Sequence, residues 1–338
     1  MSKRARIHLD GLDDDENDEV LRPAKKRRAT AQPLELNAFM MDLIKLTFII
    51  AFIGKRGTGK STAMFNVAYA FKWIPIWLCF SGTDAANGDW SRRLPESAVY
   101  PEWRSDVVKV FVKNRLRLAK ENRHNPNFKL TPAAIVIDDM AFDSLKIMHD
   151  PWFLFLVMNG RHLGILMMIS VQYIMQLTRD VRSNVDLMVS LKEPNPGNRK
   201  RIYQEWSVIE DFPQFDATFK KYTENNTAFV VLTRSQTYNP TDCVFYWKTT
   251  YIPPTMKWTL GAPEFWKHHE RLMNERKGGA DKKRSRSSFE LTQSTLDPKR
   301  LKKNHEINAK EVEDLMKENE EFNLIAPPPQ SSNVYVPK

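Results

Sequence analysis

The chain has 338 residues, 42% hydrophobic and 27% charged, with a formal charge of +10. Its two cysteines, Cys79 and Cys243, exclude a disulfide scaffold and a cysteine-based zinc site, and its longest uncharged apolar run, Leu46 to Gly54, is about half of what a membrane helix needs. The excess of Lys and Arg favours a polyanionic partner, and about +7 of it falls on residues 34–271, because the stretches on either side are nearly balanced.

Residues 1–35 read as a disordered charged tail. An acidic block, Asp13 to Glu19, precedes Pro23 and the run Lys25-Lys26-Arg27-Arg28. That run suits a nuclear-import signal, a non-specific nucleic-acid arm or a plain solvated basic stretch equally well. The charged N-terminus lacks the apolar segment of a secretory signal, so a protein of a reducing compartment with no stable membrane insertion is expected. From 36 to 270, short apolar runs alternate with amphipathic stretches. Leu46–Ile53 reads as a buried strand and Lys60–Lys72 as a helix. Ile76–Phe80 and Val107–Val112 read as two more strands, Ala134–Ile137 as a short one, and Phe142–Arg161 as a helix. Ile165–Val171 and Leu187–Leu191 continue the series, and Phe229–Leu232 with Val244–Trp247 form a closing pair. Residues 271–338 read as a basic low-complexity tail with a short charged helix at Asn308–Phe322. Continuous apolar strands alternating with helices predict a doubly wound α/β fold around a mainly parallel sheet.

The strongest motif is Gly54-Lys55-Arg56-Gly57-Thr58-Gly59-Lys60-Ser61, followed by Thr62. It matches the phosphate-loop pattern at every position, with a strand before it and a helix after it. Its glycines let successive N–H groups wrap a phosphate chain, which the positive end of the following helix also attracts. Lys60 is placed to bridge the β- and γ-phosphates of ATP, and Ser61 to ligate Mg²⁺. The second motif is the strand end Ala134-Ile135-Val136-Ile137-Asp138-Asp139. Asp138 is the candidate Mg²⁺ ligand and Asp139 the candidate base that activates water, the alternative being that Asp139 caps the next helix. Two expected strands separate the phosphate-loop helix from Asp138, which leaves room for a strand inserted between the two motifs. The third motif is the strand Ile165–Val171 tipped by Gln172, which can hydrogen-bond a γ-phosphate or the attacking water.

Asn159-Gly160-Arg161-His162, Ser170-Val171-Gln172-Tyr173 and Arg182-Ser183-Asn184-Val185-Asp186 stand in that order behind the two nucleotide motifs. With them, residues 36–250 closely resemble the genome-packaging ATPases of large eukaryotic DNA viruses, the poxvirus-type branch of the FtsK/HerA superfamily of P-loop ATPases. The resemblance implies a P-loop NTPase of the type with an additional strand and a catalytic acid. It further implies a homo-oligomeric ring that pumps double-stranded DNA, without regard to sequence, into a capsid. Viral capsid or portal-region proteins would be partners, and the infected cell (a cytoplasmic virus factory or the nucleus) or the virion would be its place. Many cellular members carry Glu where this chain has Asp139. Arg161 and Arg182 are the candidates for an arginine acting on a neighbour's γ-phosphate, each with an ion pair inside its own domain as the alternative. Two other classes remain open: a P-loop kinase acting on a small metabolite or nucleoside, and a non-catalytic nucleotide-dependent DNA scaffold.

The remaining noticeable residues read as structural. His162, His268 and His269 lack companions at metal-ligand spacing. Met167-Met168 and the tryptophans Trp73, Trp77, Trp90 and Trp103 fit packing better than binding. The basic stripe from Lys109 to Lys120 is either a DNA-facing or a solvated helix face.

Overall fold

The computed structural model describes residues 31–125, 130–140, 144–235, 237–253 and 255–280. The basic run Lys25–Arg28 and the helix expected at Asn308–Phe322 lie outside them. Among the described residues, nine strands form one sheet: β1 (Asn37–Ala38), β2 (Ile49–Ile53), β3 (Ile76–Ser81), β4 (Val99–Tyr100), β5 (Ala133–Asp138), β6 (Ile165–Val171), β7 (Leu187–Ser190), β8 (Thr227–Leu232) and β9 (Val244–Lys248). Their order across the sheet is β1-β9-β8-β7-β2-β6-β5-β3-β4. Every neighbouring pair is parallel except those that β8 makes with β7 and β9. Both rims of the sheet are therefore two-residue strands.

Helices α1 (Lys60–Ala70), α2 (Asp84–Asn87), α3 (Ser105–His124), α4 (Ser144–Met148) and α5 (Pro151–Asn159) precede β6. After it come α6 (Arg179–Asn184), α7 (Pro196–Trp206), α8 (Phe212–Lys221), α9 (Pro240–Cys243) and α10 (Pro263–Ala280). Successive strand residues point to opposite faces, and both faces are covered. Ile49, Ala51 and Ile53 of β2 join a core with Val108 and Val112 of α3, Trp152 and Phe155 of α5 and Phe215 and Phe219 of α8. Ile50 and Phe52 join the opposite core with Ala63, Met64 and Val67 of α1. Met167 and Met168 are buried on opposite faces of β6, and Cys79 and Cys243 are buried free thiols.

The doubly wound architecture follows the expectation, and three details depart from it. Val107–Val112 is helical, not a strand. Its β-branched run suggests extended chain, but in α3 the buried positions Val108, Val112, Arg115 and Ala119 follow the helical period. Val110, which a strand would place beside Val108, is 60% exposed. The helix expected across Phe142–Arg161 is broken, because Pro151 starts a new one and Asp150 caps it, its Oδ1 accepting from the Trp152 and Phe153 N–H groups at 2.9 and 3.0 Å. The inserted strand does lie between the two nucleotide motifs, but it is β6, which follows the acidic strand in the chain.

The boundaries expected at 35/36 and 270/271 fall inside packed segments. The Leu34 N–H donates to Thr218 Oγ1 at 2.9 Å and Glu35 pairs with Lys221 at 2.6 Å, while α10 runs through residue 270. Among the described residues no helix is long and apolar enough to cross a membrane.

Asp186, the last residue of the Arg-x-Asn-x-Asp motif, is a structural lock. It is fully buried, its Oδ2 accepts the Ile49 N–H at 2.8 Å, and it pairs with Arg234. Burial pushes its carboxyl above the usual range, against the pull of the Ile49 N–H and the charges of Arg161 and Lys45. Asp186→Ala strands the Ile49 N–H at the start of β2, so unfolding in urea is expected to require about 1–3 kcal/mol less free energy.

Candidate functional site

β2, β6 and β5 are parallel neighbours, so their carboxyl ends bring three sequence motifs to one edge of the sheet. Gly54 leaves β2 with its N–H on the Val171 carbonyl of β6 at 3.2 Å. A methyl group at Gly54 would stand 2.6 Å from Thr58 Oγ1 and 2.9 Å from Leu191 Cβ, so only glycine lets the loop close. Gly59, at φ 98°, turns the chain into α1 in the left-handed region that glycine enters without strain. The Thr58 hydroxyl donates to the Lys55 carbonyl at 2.7 Å. Lys55, Arg56, Gly57 and Ser61 are exposed, and Thr58, Gly59 and Thr62 are half-buried.

Lys60 is only 9% exposed, and its ammonium donates to the Gly54 and Lys55 carbonyls at 2.6 and 3.2 Å. The lysine thus spans its own loop. Burial pulls the Lys60 ammonium below its ordinary range, and the charges of Asp139 and Asp138 oppose that shift. Both carboxylates are therefore electrostatically coupled to the loop lysine. Lys55 reaches the buried Glu193, in the segment after β7, at 3.8 Å.

The acid pair is organised by one hydroxyl that sequence reading did not assign. Ser170 Oγ donates to Asp138 Oδ1 at 2.7 Å and accepts the Asp139 N–H at 2.9 Å. Asp138 Oδ2 accepts the indole N–H of Trp90 at 2.9 Å. Burial pushes the Asp138 carboxyl up, the two hydrogen bonds pull it down, and Asp139 pushes it up again. Asp139 follows with φ 50°, an unusual value for a residue with a side chain. That bend carries it off the strand line and into the cleft. The close approach of Gly82, where a methyl would stand 2.8 Å from the Asp139 carbonyl, makes room for the bend.

Lys60, Asp139, Met140, Ser170, Gln172 and Gln176 line one cleft, whereas Asp138 sits a layer behind Ser170. The Gln172 N–H is held by Gln176 Oε1 at 2.6 Å, which bends the chain as it leaves β6. Ser170 had a sequence signal, being the lone polar residue of Ile165–Val171. Trp90 had none, because 48 residues separate it from Asp138.

Arg161 and Arg182 are not brought to this cleft. They precede β6 and β7, strands parallel to β2, and so lie toward the edge where those strands begin. Arg182 is held within its own domain by Glu205 Oε2 at 3.0 Å and the Leu177 carbonyl at 2.6 Å. Among the described residues no cluster of three or more His, Cys, Asp or Glu side chains could hold a metal ion unaided. The Ser61 hydroxyl and the Asp138 carboxylate supply hard oxygen donors. Such donors suit Mg²⁺, which would take its remaining ligands from water and phosphate oxygens.

No protein-family model matches the chain. In sequence it is 28% identical over 230 residues to uncharacterized protein 075L of Invertebrate iridescent virus 6, covering 67% of this chain and 86% of that one. It is 25% identical over 288 residues to uncharacterized protein L437 of Acanthamoeba polyphaga mimivirus, covering 82% and 97%. Among solved structures it is similar to B204, the DNA-packaging ATPase from Sulfolobus turreted icosahedral virus, at TM-score 0.43 and 17% identity over 62% of this chain and all of that one. It is also similar to EssC (ATPases 2 and 3) from Geobacillus thermodenitrificans, at TM-score 0.46 and 14% identity over 75% and 52%. The strand order and the Gly54–Ser61 loop between β2 and α1 are those of a mainly parallel P-loop NTPase fold, and the chain's relatives in sequence are proteins of DNA viruses.

Proposed function

We propose that the chain is a Mg²⁺-dependent ATPase that moves double-stranded DNA into a viral capsid, working as a homo-oligomeric ring. The observation that carries the reading is the convergence of Lys60, Asp139 and Gln172 on one cleft, with Asp138 locked behind them through Ser170. The loop N–H groups and Lys60 bind and orient the phosphate chain, Lys60 exchanging its two loop carbonyls for phosphate oxygens. Ser61 and Asp138 would hold a Mg²⁺ ion, which would supply positive charge against the phosphates. Asp139 orients the attacking water and takes its proton, and Gln172 contacts the γ-phosphate or that water. Arg161 or Arg182 completes a neighbour's site, since neither reaches its own. The basic excess of residues 34–271 suits contacts to DNA phosphates, which position a duplex without reading its sequence.

The test is ATP hydrolysis by the full chain with and without duplex DNA of unrelated sequences. Hydrolysis that DNA of any sequence stimulates, and that rising salt weakens, is expected. Transfer of labelled γ-phosphate to an acceptor other than water would instead mark a metabolite kinase. ATP that stays bound and intact would mark a scaffold.

A further inference from the structure

The segment between β3 and α3 reaches across to the acid pair. Trp90 is 1% exposed, and its ring tilts against Phe65 of α1 with centroids 4.7 Å apart. Its backbone N–H is held by Asp84 Oδ1 at 2.5 Å, and the same oxygen accepts from Ser91 at 3.3 Å. The next turn is clamped as well, the Arg93 guanidinium lying 4.4 Å from the Phe65 ring centre and 4.9 Å from that of Trp258. A buried tryptophan usually finds an acceptor for its N–H, although those of Trp103, Trp152 and Trp258 have none among the described residues. Trp77, also 1% exposed, finds one in the Ile74 carbonyl at 2.8 Å. Trp90 uses a carboxylate of the candidate site instead, Asp138 Oδ2, at 2.9 Å.

The hydroxyl of Ser170 has one proton and gives it to Asp138 Oδ1, so its lone pairs face the Asp139 N–H. That direction holds only while the Asp138 carboxylate keeps its orientation. We propose that Trp90 is a positioning residue: its indole N–H, braced on α1 and Asp84, fixes Asp138 from the side opposite Ser170 and so keeps Asp139 aimed into the cleft. The same brace ties the acid pair to the helix that follows the phosphate loop, because Phe65 lies on α1. This proposal rests on the hydrolytic reading of the cleft.

Trp90→Phe keeps an aromatic ring against Phe65 and removes only the donor. It is expected to lower kcat for ATP about tenfold while leaving KM within about twofold, the loss of one hydrogen bond that orients a charged acceptor. A second readout needs no variant of Trp90 and no turnover. In the nitrogen–proton NMR spectrum of the parent chain, the Trp90 indole resonance, assigned through its contact with Phe65, is expected to exchange slowly with solvent. It should shift in Asp138→Asn, and again when ATPγS and Mg²⁺ are added. Parental kcat in a folded Trp90→Phe chain, or an indole resonance indifferent to both changes, overturns the proposal. A parent chain that hydrolyses no ATP yet shows both shifts defeats the hydrolytic reading and leaves the positioning contact standing.

Discussion

Lys60→Ala is expected to reduce ATP hydrolysis by about 10²–10³-fold, the usual loss when a pre-organised charge leaves a site of charge development. Two features of the site favour an effect of this size. The ammonium is nearly buried, so little water takes over its role, and it is tethered to the Gly54 and Lys55 carbonyls without further support. Binding should suffer as well as turnover, because in the proposed site this lysine contacts the bound phosphates in both the ground and the transition state. Titration with a fluorescent ATP analogue, alongside phosphate release, separates the two. The fold should persist: a lysine whose charge is disfavoured by burial contributes little stability. An unfolded Lys60→Ala chain would contradict this account of the loop.

Asp139→Asn is expected to give the second large effect, a fall of about 10²–10⁴-fold in kcat, the range spanned by general bases. The amide retains the shape and the left-handed turn, which asparagine tolerates well, but it accepts no proton. Nucleotide affinity should stay near the parental value or rise, since a negative charge close to the phosphates is removed. Asp138→Asn tests the division of labour between the two acids. There the Trp90 and Ser170 hydrogen bonds are disturbed as well, so stability and metal dependence should move together with kcat. If Asp139→Asn turned over ATP like the parent, the base would have to be sought elsewhere in the cleft.

The parts of this site legible in the sequence are those written in consecutive residues. Gly54–Ser61 carries its own strand, turn and helix signals, and Asp138-Asp139 and Gln172 announce themselves as polar tips on apolar strands. The parts that escape depend on contacts between distant segments. Nothing around Trp90 distinguishes it from Trp77, yet one indole meets an acid 48 residues away and the other its own turn. The place of β6 between β2 and β5 is likewise set by packing of whole layers, not by the order of elements in the chain. Val107–Val112 misleads for the opposite reason: local β propensity is real there, and a twenty-residue amphipathic helix overrides it.

The two-residue rims of the sheet bear on how copies of this chain can meet. An exposed strand edge invites another strand to add to it, and very short edge strands are one way to deny that invitation. Here β1 and β4 offer hardly any backbone to pair with. In the ring proposed above, contact between copies would therefore fall to side-chain surfaces and not to pairing of strand edges. Residues 34–38 then act as a stopper on β9, pinned by Leu34, Glu35 and Leu36 to α8 and its C-cap Tyr222. Trimming them would uncover the β9 edge and open it to pairing with another strand.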